Sequence, residues 1–170
     1  FTRDIGGWSK APALFGKEKK SGRKGKPLET HQEFEPSGIV ILNDEQKEMI
    51  KKVGEQSPGP FLLQGVTGSG KTEIYIDLTR QEVEKGNQVL VLVPEISLTP
   101  QLIARFQKAL GVPITPYHSR LTPSQRSSSW SAVREKKAAI VVGTRSAIFL
   151  PFAALKLIVV DEEHDPSYKQ

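Results

Sequence analysis

The chain has 170 residues, 37% of them hydrophobic, with a formal net charge of +5. It is about the size of one ordinary domain, with enough apolar material for a core wherever those residues cluster. It contains no cysteine, which excludes a disulfide framework and any thiolate zinc site within these residues. No apolar run approaches the roughly 18 residues of a membrane span, and 1–10 lacks the apolar stretch of a signal peptide; the expectation is a soluble, cytoplasmic protein with no membrane partner. The positive charge is uneven: residues 1–38 hold eight Lys or Arg against five Asp or Glu, and the remainder sixteen against fourteen. The basic excess therefore says little by itself about a nucleic-acid partner. Phe1 in place of Met, and Gln170 directly behind a charged cluster, lead to the expectation of a piece cut from a longer protein.

Residues 1–38 are rich in Gly, Pro, Ser and Lys, include the basic run GKEKKSGRKGKP, and show no helical or strand periodicity. That composition predicts a flexible linker or tail, with docking by Trp8, Leu14 and Phe15, or nucleic-acid binding by the Lys run, as alternatives. A folded unit is expected over 39–170. It opens with a short helix capped by Asn43 or Asp44, with Met49, Ile50 and Val53 as its apolar positions and Gly54 as its stop.

Four units follow in alternation. The predictions are a strand FLLQ at 61–64 with a helix over 71–85 ended by Gly86; a strand VLVLV at 89–93 with a helix over 100–110 ended by Gly111; a strand ITPYH at 114–118 with a helix over 123–135; and two strands, AAIVV at 138–142 and LKLIVV at 155–160. Short, nearly continuous apolar runs fit strands of a parallel sheet covered on both faces by helices. Thr99 and Thr122 each precede a proline, so each can cap a helix whose first position the proline takes. The predicted fold class is α/β, a three-layer P-loop NTPase-type lobe with a mainly parallel sheet.

GVTGSGKT at 65–72 satisfies the G-x-x-x-x-G-K-[ST] pattern between a predicted strand and a predicted helix. Gly65, Gly68 and Gly70 let the backbone wrap an anion, so that successive N–H groups through Val66, Thr67 and Ser69 and the helix N-terminus point at phosphates. Lys71 would reach the β and γ phosphates of ATP, and the Thr72 hydroxyl would ligate Mg²⁺. LIVVDEEHD, at the end of the last strand, supplies the acidic partner. Asp161 would hold Mg²⁺, and Glu162, one residue beyond the strand tip, would orient and deprotonate the attacking water. A solvated acidic loop is the alternative, and Glu163 is assigned to it. His164 is read either as a polar contact coupling the triphosphate end to a nucleic-acid side or as an ordinary exposed histidine. Trp130, three residues before Val133 on a predicted helix, is read as core in preference to a base-stacking platform. Tyr75 and Ile76 are read as packing residues, and His118 and Ser119 stay open.

In order, LNDEQ, GVTGSGKTEIY, LVLVPEISLTPQL, HSRLTPSQR, GTRSAIF and LIVVDEEHDPSYKQ resemble the first RecA-like lobe of superfamily 2 DNA helicases. VPEISLTPQ with DEEHDPSYKQ is similar, more narrowly, to the bacterial replication-restart helicases, over 42–170. The resemblance implies that Gln46 reads the adenine edge, and that Pro94, Glu95, Gly143, Thr144 and Arg145 hold the backbone of single-stranded DNA. Other roles stay open for three of these: Thr144 as a turn cap, Arg145 as an ion-pair partner, and Glu95 as a group that phosphate repels unless it meets sugar or base. The resemblance further implies ATP hydrolysis between this lobe and a second RecA-like lobe of the same chain. It implies 3′ to 5′ translocation at forked DNA in bacteria, with primosome proteins and single-strand-binding protein as partners, and zinc only in a cysteine-rich part elsewhere in the intact protein. Three competing readings are a nucleotide kinase, a branch-migration or restriction translocase, and a non-catalytic DNA- or protein-binding module.

Overall fold

The computed structural model describes residues 42–56, 59–66 and 68–169; the linker expected over 1–38, and Thr67, lie outside them. Helix α1 (Asp44–Gln56) is followed by α2 (Lys71–Glu84), β1 (Gln88–Leu92), α3 (Pro100–Leu110), β2 (Ile114–Tyr117), α4 (Pro123–Arg134), β3 (Ile140–Gly143), a 3₁₀ turn (Arg145–Phe149), β4 (Leu155–Val160) and a second 3₁₀ turn (Pro166–Tyr168). The strands form one sheet in the order β2-β3-β1-β4, and all three pairings are parallel.

Local chemistry sets most boundaries. Thr99 and Thr122 both cap as predicted: their side chains accept from Leu102 and Gln125 N–H, and Thr122 with Gln125 completes a capping box. At the other end of α3, Gly111 takes φ 66°, the left-handed C-terminal conformation that glycine adopts without steric penalty. Asn43 caps α1 through a reciprocal pair, its Oδ1 accepting from Gln46 N–H and its N–H donating to Gln46 Oε1, each at 2.8 Å. Gly54 does not stop this helix, which runs on to Gln56; a glycine weakens a helix interior by about 1 kcal/mol but ends it only where the chain turns left-handed.

The core lies on both faces of β1, whose five residues are all buried. Val89, Val91 and Val93 meet Ile76 and Val83 of α2 and Ile103 and Phe106 of α3 on one side, while Leu90 and Leu92 meet Ala132 and Val133 of α4, with Ala147 and Leu150, on the other. This is the three-layer arrangement, each buried aliphatic side chain contributing on the order of 2 kcal/mol. Gln88, which the apolar run missed, opens β1 fully buried. Its amide donates to the carbonyls of Val133 and Ala138, and its Oε1 accepts from the N–H groups of Ala153 and Ala154.

Three further sequence expectations are corrected. Residues 61–64 are not a strand; Phe61 and Leu62 are 43% and 68% exposed. An apolar run states a wish for burial, whereas a strand needs a hydrogen-bonded neighbour, and among the described residues none pairs with this segment. Nor is β4 covered on both faces: as the edge strand beside β1 it leaves Ile158 and Val160 exposed. Trp130 is 44% exposed while Val133 is fully buried. Helix α4 turns the small faces of Ser129 and Ala132 inward with Val133, and Trp130, one residue on from Ser129 and so about 100° round the helix, points away.

Candidate functional site

In a parallel sheet every strand ends at the same edge, where ligands of open α/β sheets bind. The segments after β1, β2, β3 and β4, which carry most of the predicted site residues, therefore share one edge. The glycine-rich loop joins them because α2 runs back from it to the start of β1.

Gly68 and Gly70 both take φ 83°, conformations that a Cβ would strain. The loop turns back on itself through Ser69 N–H to the Val66 carbonyl at 3.2 Å. Lys71 lies over this turn, its Nζ donating to the carbonyls of Gly65 at 2.6 Å and Val66 at 3.0 Å. Thr72 follows in the first turn of α2, partly exposed. Gln46 reaches the same loop from α1: its Nε2 donates to the Gly70 carbonyl at 3.2 Å, and the side chain is almost wholly buried.

Asp161 continues the β4 ladder, its N–H donating to the Leu92 carbonyl at 2.9 Å. Its carboxylate accepts from Glu162 N–H at 3.1 Å, and its carbonyl accepts from the Tyr168 hydroxyl at 3.2 Å. Tyr75, one helical turn after Lys71, is half-buried where its phenol feels the Asp161 charge. Helix α2 packs against β4, so the acid that ends β4 and the helix that Lys71 opens are neighbours. Burial first, then the Asp161 charge, pushes the Tyr75 phenol up to about 12; burial and the charges of Asp161, Asp165 and Glu162 push Tyr168 up to about 12 as well. Both hydroxyls stay protonated donors at neutral pH. Glu162 takes φ 50°, a left-handed conformation that strains a non-glycine residue by about 1 kcal/mol. The Glu162 and His164 side chains are exposed. The Asp165 carboxyl is held below its ordinary range, chiefly by hydrogen bonds from Ser167.

On the neighbouring strands, Pro94 is buried and Glu95 exposed. The Glu95 carboxylate accepts from the Ser119 hydroxyl, and the Ser119 carbonyl accepts from Arg126. His118 sits among these groups, its pKa lowered by burial first and then by Arg120 and Arg126, with Glu95 opposing. Gly143 is buried where a Cβ would lie 2.5 Å from the Tyr117 carbonyl oxygen and 2.8 Å from the Ala147 Cβ. Thr144, 9% exposed, opens the first 3₁₀ turn without a side-chain cap bond; its hydroxyl lies 3.4 Å from that of Ser146. Arg145 is exposed and donates to the Ser167 carbonyl at 3.0 Å, so the segment after β3 is tied to the one after Asp161.

The predicted residues thus form two sets. Gln46 and the glycine-rich loop with Lys71 and Thr72 meet at the start of α2, and Asp161 with Glu162 stands at the end of β4, the strand against which α2 packs. Pro94, Glu95, Gly143, Thr144 and Arg145 occupy the adjoining strand ends. His164 stands apart on the exposed turn. Tyr75, read as packing, does pack against the core, and its phenol also feels the Asp161 charge; Ser119, left open, is the residue that the sequence reading did not place. The i+4 spacing from Lys71 was a signal for Tyr75; nothing in the sequence pairs Ser119 with Glu95. A Thr hydroxyl and one carboxylate form a sparse donor set that fits Mg²⁺, which keeps water and phosphate ligands. Among the described residues no group of three or more His, Asp or Glu side chains is placed to hold a metal ion by itself, and no helix is long and apolar enough to cross a membrane.

Comparison with known proteins agrees with this geometry. The replication restart protein PriA of Bacillus subtilis is 43% identical over 141 residues, 81% of this chain and 18% of that protein. Its namesake from Haemophilus influenzae is 54% identical over 110 residues, 65% of this chain and 15% of that protein. That of Rickettsia felis is 41% identical over 147 residues, 85% and 22% of the two chains. The chain therefore spans less than a quarter of the length of these relatives. A solved structure of RecG bound to a three-way DNA junction superposes with a TM-score of 0.65 at 28% identity, covering 73% of this chain and 18% of that one, which agrees with a RecA-like α/β lobe. The model of the DEAD/DEAH box helicases matches residues 43–170, and the chain belongs to that family.

Proposed function

We propose that the chain is the ATP-binding motor lobe of a DNA helicase that acts in bacterial replication restart and primosome assembly. The observation that carries this reading is the glycine-rich turn at the start of α2, where Gly68 and Gly70 take φ 83° and Lys71 lies over the carbonyls of Gly65 and Val66. In this reading the loop amides and Lys71 bind the phosphates, with Lys71 leaving the carbonyls of Gly65 and Val66 for the ligand, and Gln46, already at the loop, reads the adenine edge. Thr72 and Asp161 hold Mg²⁺, which draws charge from the phosphate oxygens when bound. Glu162, held beyond the strand tip, orients the attacking water and takes its proton.

Pro94, Gly143, Thr144 and Arg145 form the face toward single-stranded DNA, Thr144 by hydroxyl and Arg145 by charge; His164 lies between the two ligands. In the intact protein this lobe works against a second RecA-like lobe, which supplies an arginine worth roughly 10³–10⁵ in rate. Translocation runs 3′ to 5′ on single-stranded or forked DNA in the bacterial cytoplasm, with primosome proteins and single-strand-binding protein as partners. The likeness to RecG favours a second reading, a branch-migration type of translocase; the identities of 41–54% to replication restart proteins speak for the first.

The test is a titration of the chain with a fluorescent ATP analogue and Mg²⁺, wild type beside Lys71→Ala, with and without oligo(dT). Saturable binding, lost in the variant and altered by oligo(dT), is expected. Turnover near one per second by the isolated chain, unchanged in Lys71→Ala, would overturn the reading.

A further inference from the structure

One side-chain hydrogen bond joins the loop after β1 to the loop after β2: the Ser119 hydroxyl donates to the Glu95 carboxylate. From behind, Arg126 of α4 donates to the Ser119 carbonyl. Ser119 is thereby held through its side chain by an acid of one loop and through its main chain by a base of the adjoining helix. The segment after β3 is anchored to the same strand end, with Thr144 N–H donating to the Tyr117 carbonyl at 3.0 Å. An exposed carboxylate facing a polyanion is unfavourable, yet this exposed carboxylate already has a partner within the chain, the Ser119 hydroxyl. A charge-assisted hydroxyl–carboxylate bond is among the stronger hydrogen bonds. Holding two exposed loops in one arrangement reduces the ordering that ligand binding must otherwise supply.

We propose that Glu95 is a positioning residue for DNA binding, which fixes Ser119 and so sets the loops after β1 and β2 as one surface without itself touching the nucleic acid. The proposal rests on the reading of this edge as the DNA-facing side.

The experiment is fluorescence anisotropy with labelled oligo(dT), on the natural full-length protein, for wild type, Glu95→Ala, Glu95→Gln, Ser119→Ala and Glu95→Ala/Ser119→Ala. Hydrogen exchange at residues 118–121 is followed without DNA. Glu95→Ala and Ser119→Ala are expected each to weaken binding by about two- to tenfold, and the double variant to be no weaker than the weaker single variant. Glu95→Gln, whose amide oxygen still accepts from Ser119, is expected to bind within about twofold of wild type. Exchange at 118–121 should quicken in Glu95→Ala and stay near wild type in Glu95→Gln. Losses that multiply in the double variant, tighter binding by both Glu95 variants, or unchanged exchange in Glu95→Ala would each overturn the proposal. Wild-type protein that fails to bind oligo(dT) would overturn the DNA reading, and this inference with it.

Discussion

Gln46 donates from Nε2 to the Gly70 carbonyl at 3.2 Å, so α1 is tied to the residue that opens the P-loop helix. The same amide completes the cap of α1 through Oε1 at 2.8 Å from Asn43 N–H. Gln46→Ala removes both bonds and is expected to lower stability by about 1–2 kcal/mol, read by urea denaturation, and to weaken nucleotide binding in the same titration. Gly70→Ala should do the same or worse, because a Cβ there would lie 2.2 Å from Gln46 Nε2 in a backbone at φ 83°. Wild-type nucleotide affinity in both variants would sink the assignment of Gln46 to the nucleotide site.

The burial of Tyr75 beside the Asp161 charge gives a pH prediction. A phenol raised from 10.0 to about 12 on folding keeps its proton in the native state where the unfolded chain has lost it. Its contribution to stability is therefore complete below pH 10 and is lost as pH rises toward 12. Tyr168, raised likewise to about 12, adds to the same window. Wild type should lose stability between pH 10 and 12 more steeply than Tyr75→Phe/Tyr168→Phe, measured by thermal unfolding at stepped pH. Parallel slopes would count against the donor role of both hydroxyls.

Gln88 makes four hydrogen bonds from a fully buried position to main-chain groups of three segments. Gln88→Leu removes all four bonds; the Val133 carbonyl keeps its bond from Lys136 N–H, but the others lose this partner, at a cost of about 2–4 kcal/mol. The denaturation midpoint should fall with the slope unchanged.

Thr79 is the converse case, since its Oγ1 is the one buried side-chain oxygen or nitrogen without a partner among the described residues. Thr79→Val replaces it with a methyl of the same shape and should be neutral or stabilising by up to about 1 kcal/mol. A loss of more than that would mean the hydroxyl has a partner, such as a buried water.

Gly143→Ala places a methyl 2.5 Å from the Tyr117 carbonyl oxygen, a main-chain atom that cannot rotate aside. The expected loss is about 1–3 kcal/mol, together with weaker oligo(dT) binding as Thr144 and Arg145 shift. Wild-type stability would show that β2 and β3 can part at this point.

The sequence alone determined the parts of this protein whose chemistry is local. Thr99 and Thr122 cap their helices because a hydroxyl beside a Pro-initiated turn finds its N–H within three residues. Gly68 and Gly70 take left-handed conformations that the P-loop pattern itself requires, and the apolar runs of β1 and β3 announce burial on both faces. Only the tertiary structure decided what depends on a distant neighbour. Residues 61–64 read as a strand until the sheet order leaves them without a partner among the described residues. Trp130 reads as core until small residues take the inner face of α4. In the site, the spacing of Lys71 and Asp161 in the chain carries no distance; the packing of α2 against β4 is what makes their elements neighbours. Glu95 and Ser119 are 24 residues apart, and no periodicity relates them. They meet because β1 and β2 flank β3 in one parallel sheet, which brings the loops that follow them to the same edge.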